Sequence, residues 1–274
     1  MSTNSEAGPR SLGSFSRRVA VIVGGGSGLG RAVAKGLARQ GANIVVADFD
    51  GPRMDRTVDE VVRLGTSEAA IALSTDIRSD SSVHSLVRDS IKTMGRVDLV
   101  VNAAGVLLQG KLEKISGEDW TWMLETNLVG AVRTSTAYIP HMTARGSGQI
   151  VNVVSYGGLA PNDPVALPYD TGHAALAVFS EGLARQLDGT GVGVSIFCPG
   201  AKGPRIGQNT RSRGVGRLFS GPDKGPDVSQ QLEQLASTLI DGLDPQQFLI
   251  LGDPSEAKMF EGRWGHVDGR RVSR

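Results

Sequence analysis

From residue 19 onward the chain alternates short, unbroken apolar runs with longer segments in which apolar residues recur every three or four positions. The unbroken runs lie at 19–23, 43–47, 69–73, 98–101, 149–154 and 193–197 and consist mostly of Val, Ile and Ala. A strand with one face in water alternates apolar and polar residues. Continuous apolar runs of this length therefore predict strands buried on both faces of a parallel sheet. The periodic segments predict helices near 28–40, 52–64, 80–94, 117–145 and 168–187. This strand–helix alternation predicts an α/β fold: a single-domain, Rossmann-like doubly wound parallel sheet with helices on both faces.

After Pro199-Gly200 the pattern changes. Residues 200–227 are rich in Gly, Pro, Arg and Lys with little periodicity, which predicts a long loop of the kind that often serves as a lid over a substrate. A helix near 228–241 and a strand at 247–251 then close the sheet. No internal repeat or interdomain linker interrupts this order, so one domain is expected over 17–252, between a flexible N-terminal tail (1–16) and an irregular C-terminal tail (253–274).

Composition narrows the setting. With 39% hydrophobic and 21% charged residues, 274 residues suffice for a sizeable core. A formal net charge of +1 gives no reason to expect nucleic acid or an anionic membrane as partner. The polar opening stretch lacks the apolar core of a secretory signal, and no run is long enough to span a bilayer. The single cysteine, Cys198, rules out an intramolecular disulfide and suits a reducing cytoplasm. His84, His141 and His266 stand in no metal-ligand spacing with cysteines or carboxylates, so no metal is expected.

Chemistry enters at VAVIVGGGSGLGRAVAKGLA, a strand, a glycine-rich turn and a helix. Gly24, Gly28 and Gly30 let the backbone turn sharply and approach a pyrophosphate, and the helix N-terminus offers N–H groups and a positive dipole end to that anion. The second strand ends at Asp48, a carboxylate placed to accept from the adenosine ribose hydroxyls and to repel a 2′-phosphate. NAD is favoured over NADP, with nearby Arg53 keeping NADP as the lesser option.

Further motifs follow in order. Asp76 closes the third strand, Asn102-Ala103-Ala104-Gly105 follows the fourth, and Asn127 lies in the helix near 117–145. Ser155 ends the fifth strand, Tyr169 comes fourteen positions later, and Pro199-Gly200 follows the sixth strand. Together with the glycine turn these residues resemble the short-chain dehydrogenase/reductase family over about 17–252. The match departs from the family pattern at Val23, usually threonine, and at Ala103, usually a second asparagine. The resemblance implies Tyr169 as acid/base, Ser155 as oxyanion donor, and Asn127 as holder of a relay water. It also implies cofactor contacts from Gly24, Ser27, Gly28, Leu29, Gly30, Asp48, Asp76, Ile77, Asn102, Ala103, Gly105, Tyr169, His173, Pro199 and Gly200. A homodimer or homotetramer and a small-molecule alcohol or ketone substrate are implied as well.

The resemblance breaks at one decisive position. The family places a lysine four residues after the tyrosine, where its charge favours phenolate and its ammonium holds the nicotinamide ribose; here that residue is His173. Three readings stand. His173 replaces lysine, as imidazolium or as a proton shuttle; or Ser155 and Tyr169 serve slower or non-redox chemistry, such as a lyase or isomerase step; or the protein binds NAD in a regulatory role. The substrate pocket is expected between Leu107, Leu108, 156–161 and the lid at 201–226. Their apolar and glycine-rich character suits a mostly uncharged secondary alcohol or ketone. Lys202 and Arg205, and the cluster Arg211, Arg213 and Arg217, read as a solvated loop, and Pro204 stands where the family usually has a threonine.

Overall fold

A computed structural model of the protein describes residues 15–161, 163–200, 209–216, 226–243 and 247–258. The elements run β1 (Val19–Val23), α1 (Gly28–Arg39), β2 (Asn43–Asp48), α2 (Gly51–Leu64), β3 (Ala70–Ser74), α3 (Asp80–Met94), β4 (Leu99–Asn102) and β5 (Leu107–Gly110). Next come α4 (Gly117–Leu124), a π-helical segment (Glu125–Gly130), α5 (Ala131–Arg145), β6 (Gly148–Val153) and a one-turn helix α6 (Tyr156–Leu159). The last are α7 (Leu167–Gln186), β7 (Val192–Cys198), β8 (Thr210–Arg213), α8 (Pro226–Gly242) and β9 (Leu249–Leu251).

Seven strands form one parallel sheet in the order β3-β2-β1-β4-β6-β7-β9. Alternate strand residues serve opposite faces. Ala20, Ile22, Ile44 and Val46 pack against α1, α2 and α8, whereas Val19, Val21, Val23 and Val45 pack against α3, α5 and α7. Burial on both faces is why the strands read as unbroken apolar runs. The helices stop where the sequence permits: Gly65, Gly95 and Gly146 end α2, α3 and α5 in the left-handed conformation that glycine adopts without steric cost.

Strand order reverses between β1 and β4, and in such sheets ligands bind beyond the carboxyl ends of the strands at that point. The register sets those ends in one row. Val23 stands opposite Ala47 on one side and Asn102 on the other, and Asn102 stands opposite Asn152. The glycine turn, Asp48, the 103–105 turn and Ser155 therefore emerge along a single edge.

Two features depart from the sequence reading. The helix expected over 117–145 is interrupted by the π-helical segment, and the expected loop at 200–227 contains β8, which pairs in parallel with β5 as a separate two-stranded sheet. Asp119 of α4 anchors this second sheet. Its carboxylate, only 4% exposed, accepts from Arg213 at 2.7 and 2.8 Å and from Arg211 at 3.3 Å, while the Arg211 guanidinium lies 4.0 Å over the Trp122 ring. Arg211 and Arg213 are thus structural anchors rather than solvated loop residues. Lys202, Pro204, Arg205 and Arg217, with residues 1–14 and 259–274 of the expected tails, lie outside the described residues. Among the described residues no helix is long and apolar enough to cross a membrane.

Candidate active site

A cleft of about 1290 Å³ follows the carboxyl edge of the sheet from Asp48 and the glycine turn to Ser155, Tyr169, Asp170 and His173. At the glycine turn, Gly24 has φ +79°, and a Cβ there would lie 2.6 Å from the Ala104 backbone nitrogen. A Cβ on Gly30 would run into the Gly24 carbonyl, so these two glycines hold the turn against its neighbours. Gly28 differs: it has φ +50°, and nothing lies within 4 Å of where its Cβ would be. Ser27 precedes α1 with an extended backbone and makes no side-chain cap, and no acidic residue occupies the first turn. The helix N-terminus therefore faces open space with its dipole uncompensated, as a pyrophosphate site requires.

The Asp48 carboxylate ties β2 to this turn, accepting from the Gly26 N–H at 3.0 Å and from the Phe49 N–H at 2.8 Å. Arg53 lines the same end of the cleft and pairs with Asp50 at 3.0 Å. Asp76 is held by Arg78 at 2.7 and 2.9 Å, and the guanidinium keeps its carboxyl below the usual range. Ser27, Leu29, Ile77, Ala103, Gly105, Pro199 and Gly200 also line the cleft.

Two expected site residues turn inward. Asn102 donates to Asn152 Oδ1 at 2.8 Å and Ser135 Oγ at 3.0 Å and accepts from Thr134 Oγ1 at 2.6 Å; its side chain knits β4 to β6 and α5. Asn127, in the π-helical segment, accepts from the Val106 N–H and donates to the Val106 carbonyl, both at 2.8 Å. Its side chain is spent on that clamp, which leaves the backbone as the part available to a relay. A π turn displaces carbonyls from regular helical pairing and is common at functional sites.

At the reaction end, α6 lies across the start of α7. A Cβ on Gly157 would strike the Asp170 carboxyl, and one on Gly158 would come within 2.6 Å of the His173 Cβ. Tyr169 and His173, one turn apart on α7, touch edge to face with ring centroids 4.4 Å apart and an interplanar angle of 66°. His173 is 5% exposed, and neither ring nitrogen has a hydrogen-bond partner among the described residues. Burial pushes its imidazole down to about 4, so the ring is neutral at pH 7. Tyr169 is pushed above the ordinary tyrosine value, by burial first and then by the Asp170 carboxylate. No cation stands against the phenol among the described residues, and the tyrosine stays protonated.

Asp170 carries a signal the sequence hid. It is 5% exposed, lines the cleft, and accepts from Ser155 Oγ at 3.5 Å. Burial and the nearby Asp163 raise its carboxyl to about 6, against the Ser155 hydrogen bond, which lowers it. An Asp directly after the tyrosine was in plain view, but only the packing of α6 on α7 reveals its burial beside Ser155. The wall beyond these residues includes Val106, Leu107, Trp122, Tyr156, Ala166 and Asn209. Leu108, expected there, is fully buried on the other side of β5, as strand alternation requires. Among the described residues no group of three His, Cys, Asp or Glu is arranged to hold a metal.

Comparison with known proteins bears on the fold and the family. The chain is 32% identical over 183 residues to an uncharacterized oxidoreductase, YvrD, of Bacillus subtilis, which covers 67% of this chain and 68% of that protein. A short chain dehydrogenase/reductase from Burkholderia phymatum, solved in complex with NAD, superposes with a TM-score of 0.75 at 26% identity, covering 95% of this chain and 97% of the other. The apo form of LigD from Sphingobium sp. strain SYK-6 superposes with a TM-score of 0.74 at 28% identity, covering 92% and 97%. The family model for short chain dehydrogenases matches residues 18–213, and this chain belongs to that family.

Proposed function

We propose that the protein is an NAD(H)-dependent oxidoreductase that interconverts a secondary alcohol and a ketone on a mostly apolar small molecule. The observation that carries this reading is the continuity of the cleft: the anion-ready N-terminus of α1 and the hydroxyls of Ser155 and Tyr169 line one groove. The oxidoreductase name of the Bacillus relative and the NAD bound to the Burkholderia structure support the same class. Asp48 at the end of β2 favours NAD over NADP. The open space at Gly28 and the N–H groups of α1 fit the pyrophosphate, and Tyr169 and His173 line the far part of the same cleft, where the nicotinamide end would lie.

The dinucleotide supplies hydride transfer, and the chain supplies orientation and proton handling. Tyr169 offers its hydroxyl proton and Ser155 its Oγ to the substrate oxygen, while Leu107, Trp122 and Ala166 shape an apolar wall. Because His173 is neutral and Tyr169 keeps its proton, the tyrosine is in the form that donates to an oxygen gaining negative charge. The site is therefore set for ketone reduction at neutral pH. The lack of a cation beside the phenol among the described residues supports a second reading, a protein that binds NAD with little turnover. Membership of the family, whose members are typically oligomeric, supports a homodimer or homotetramer.

Fluorescence titration with NADH and turnover over a panel of ketones and secondary alcohols test the proposal. Saturable NADH binding with ketone turnover that falls in Tyr169→Phe is expected. Binding without turnover of any panel member, unchanged by Tyr169→Phe, would leave the second reading standing and refute the first.

A further inference from the structure

Oxidation of an alcohol needs an acceptor for the hydroxyl proton, and Tyr169 is a poor one here because no cation stands against its phenol among the described residues. One carboxylate in the cleft is in contact with the other catalytic hydroxyl. Asp170 lies behind Ser155, with the Ser155 Oγ–H directed at its Oδ1 at 3.5 Å, and the pair is covered by Gly157, which leaves no room for a side chain over the carboxyl. Against an ionised carboxylate the serine hydroxyl is the donor, which leaves the Oγ lone pairs to accept.

We infer that Ser155 and Asp170 form a two-residue proton relay that takes the hydroxyl proton during alcohol oxidation, with Asp170 as the positioning residue that acts through Ser155. The inference rests on the dehydrogenase reading above. As the carbinol carbon gives up its C–H electron pair as hydride to the nicotinamide, the substrate O–H proton passes to Ser155 Oγ. The proton already on Oγ passes to Asp170 Oδ1. The products are the ketone, the reduced dinucleotide and a protonated Asp170, which returns its proton to water through the cleft. Tyr169 stays a phenol throughout and holds the substrate oxygen as a donor.

The surroundings leave Asp170 able to take and release a proton near neutrality. Asp163, in the turn before α7, adds a negative charge that favours the protonated form, and Ser155 favours the ionised one. Tyr169 and His173 on α7 are neutral, and Tyr156 of α6 is raised above its ordinary value by burial and by Glu256 and Cys198. No cation acts on the carboxyl among the described residues.

Two measurements on the full-length protein decide the matter. In steady-state oxidation, wild type is expected to lose rate as pH falls through about 6. Asp170→Asn keeps the shape and is expected to lose that inflection and about 100-fold in kcat at pH 7.5, within the usual range for acid–base catalysis. Tyr169→Phe is expected to lower the rate without moving the inflection. Independently of turnover, infrared titration of the cofactor-free protein is expected to show a protonated-carboxyl band that is absent from Asp170→Asn and whose midpoint rises in Ser155→Ala. An Asp170→Asn enzyme with the wild-type pH profile, or an Asp170 midpoint indifferent to Ser155→Ala, would overturn the relay. Absence of turnover by wild type on every alcohol and ketone would instead overturn the dehydrogenase reading and the relay's use in it, with the infrared shift still deciding whether the two side chains are coupled.

Discussion

Replacing His173 with glutamine removes a group that penalises the fold in acid. The unfolded imidazole titrates near 6.5 and the buried ring near 4, so the unfolded chain takes up a proton that the folded chain refuses. The stability this represents is whole above pH 6.5 and is lost as pH falls through 4, in total about 3 kcal/mol and by pH 5 about 2 kcal/mol. Asp170 works in the opposite sense. Its folded value of about 6 lies above the ordinary aspartate range, so its contribution is whole below pH 4 and is lost as pH rises through 6. Acidification to pH 5 recovers about 1 kcal/mol from it. In wild type the two effects partly cancel. Urea denaturation followed by tryptophan fluorescence at pH 7.5 and pH 5, for wild type, His173→Gln and Asp170→Asn, separates them. Packing costs that do not depend on pH drop out when each variant is compared with itself. His173→Gln is expected to gain about 2 kcal/mol on wild type between the two pH values, and Asp170→Asn to lose about 1 kcal/mol. Equal differences at both pH values would show that neither group is perturbed, and a reversed sign for His173→Gln would show that the ring is an imidazolium in the folded protein.

Three further substitutions probe other parts of the site. His173→Lys brings an ammonium to the Tyr169–Asp170 corner; an opposite charge at about 4–6 Å lowers an acid by roughly 1–3 pKa units, so oxidation at pH 7.5 should rise about tenfold or more, and an unchanged or lower rate would refute the charge argument. Gly30→Ala drives a methyl group into the Gly24 carbonyl and should cost about 1–3 kcal/mol in urea denaturation together with most of the NADH affinity by fluorescence; full affinity would mean that the turn is not the cofactor cradle. Asp119→Asn unties Arg211 and Arg213 and should cost about 1–2 kcal/mol while raising KM more than it lowers kcat, because β8 and β5 border the substrate end; an unchanged KM would remove the second sheet from substrate binding.

The main sheet was legible because its strands are buried on both faces. Runs such as Val19–Val23 and Asn43–Asp48 contain little besides apolar side chains, and their bounds in the structure fall within a residue or two of those read from the sequence. Thr210–Arg213 was illegible for the converse reason: TRSR has no strand pattern of its own, and it pairs with Leu107–Gly110 while its arginines meet Asp119, about ninety residues away in the chain. At the site, order and spacing marked Ser155, Tyr169 and the glycine turn. They could not show that Asn102 and Asn127 turn their amides inward, because that depends on Thr134, Asn152 and Val106, which are brought in by other elements. The sequence marked His173 one turn after Tyr169, and the fold adds its condition: buried, neutral, and with neither ring nitrogen partnered among the described residues. Asp170 escaped notice because its meaning lies in a carboxyl covered by Gly157 and met by Ser155, fifteen residues earlier.

Hydride transfer itself is the most direct test. Secondary alcohols carrying deuterium at the carbinol carbon, incubated with the protein and NAD at pH 7.5, should yield reduced cofactor bearing one deuterium by mass spectrometry, together with the matching ketone. A protein that saturates with NADH yet transfers no deuterium from any alcohol in the panel, and returns none to a ketone in the reverse direction, would contradict its assignment as an alcohol–ketone oxidoreductase.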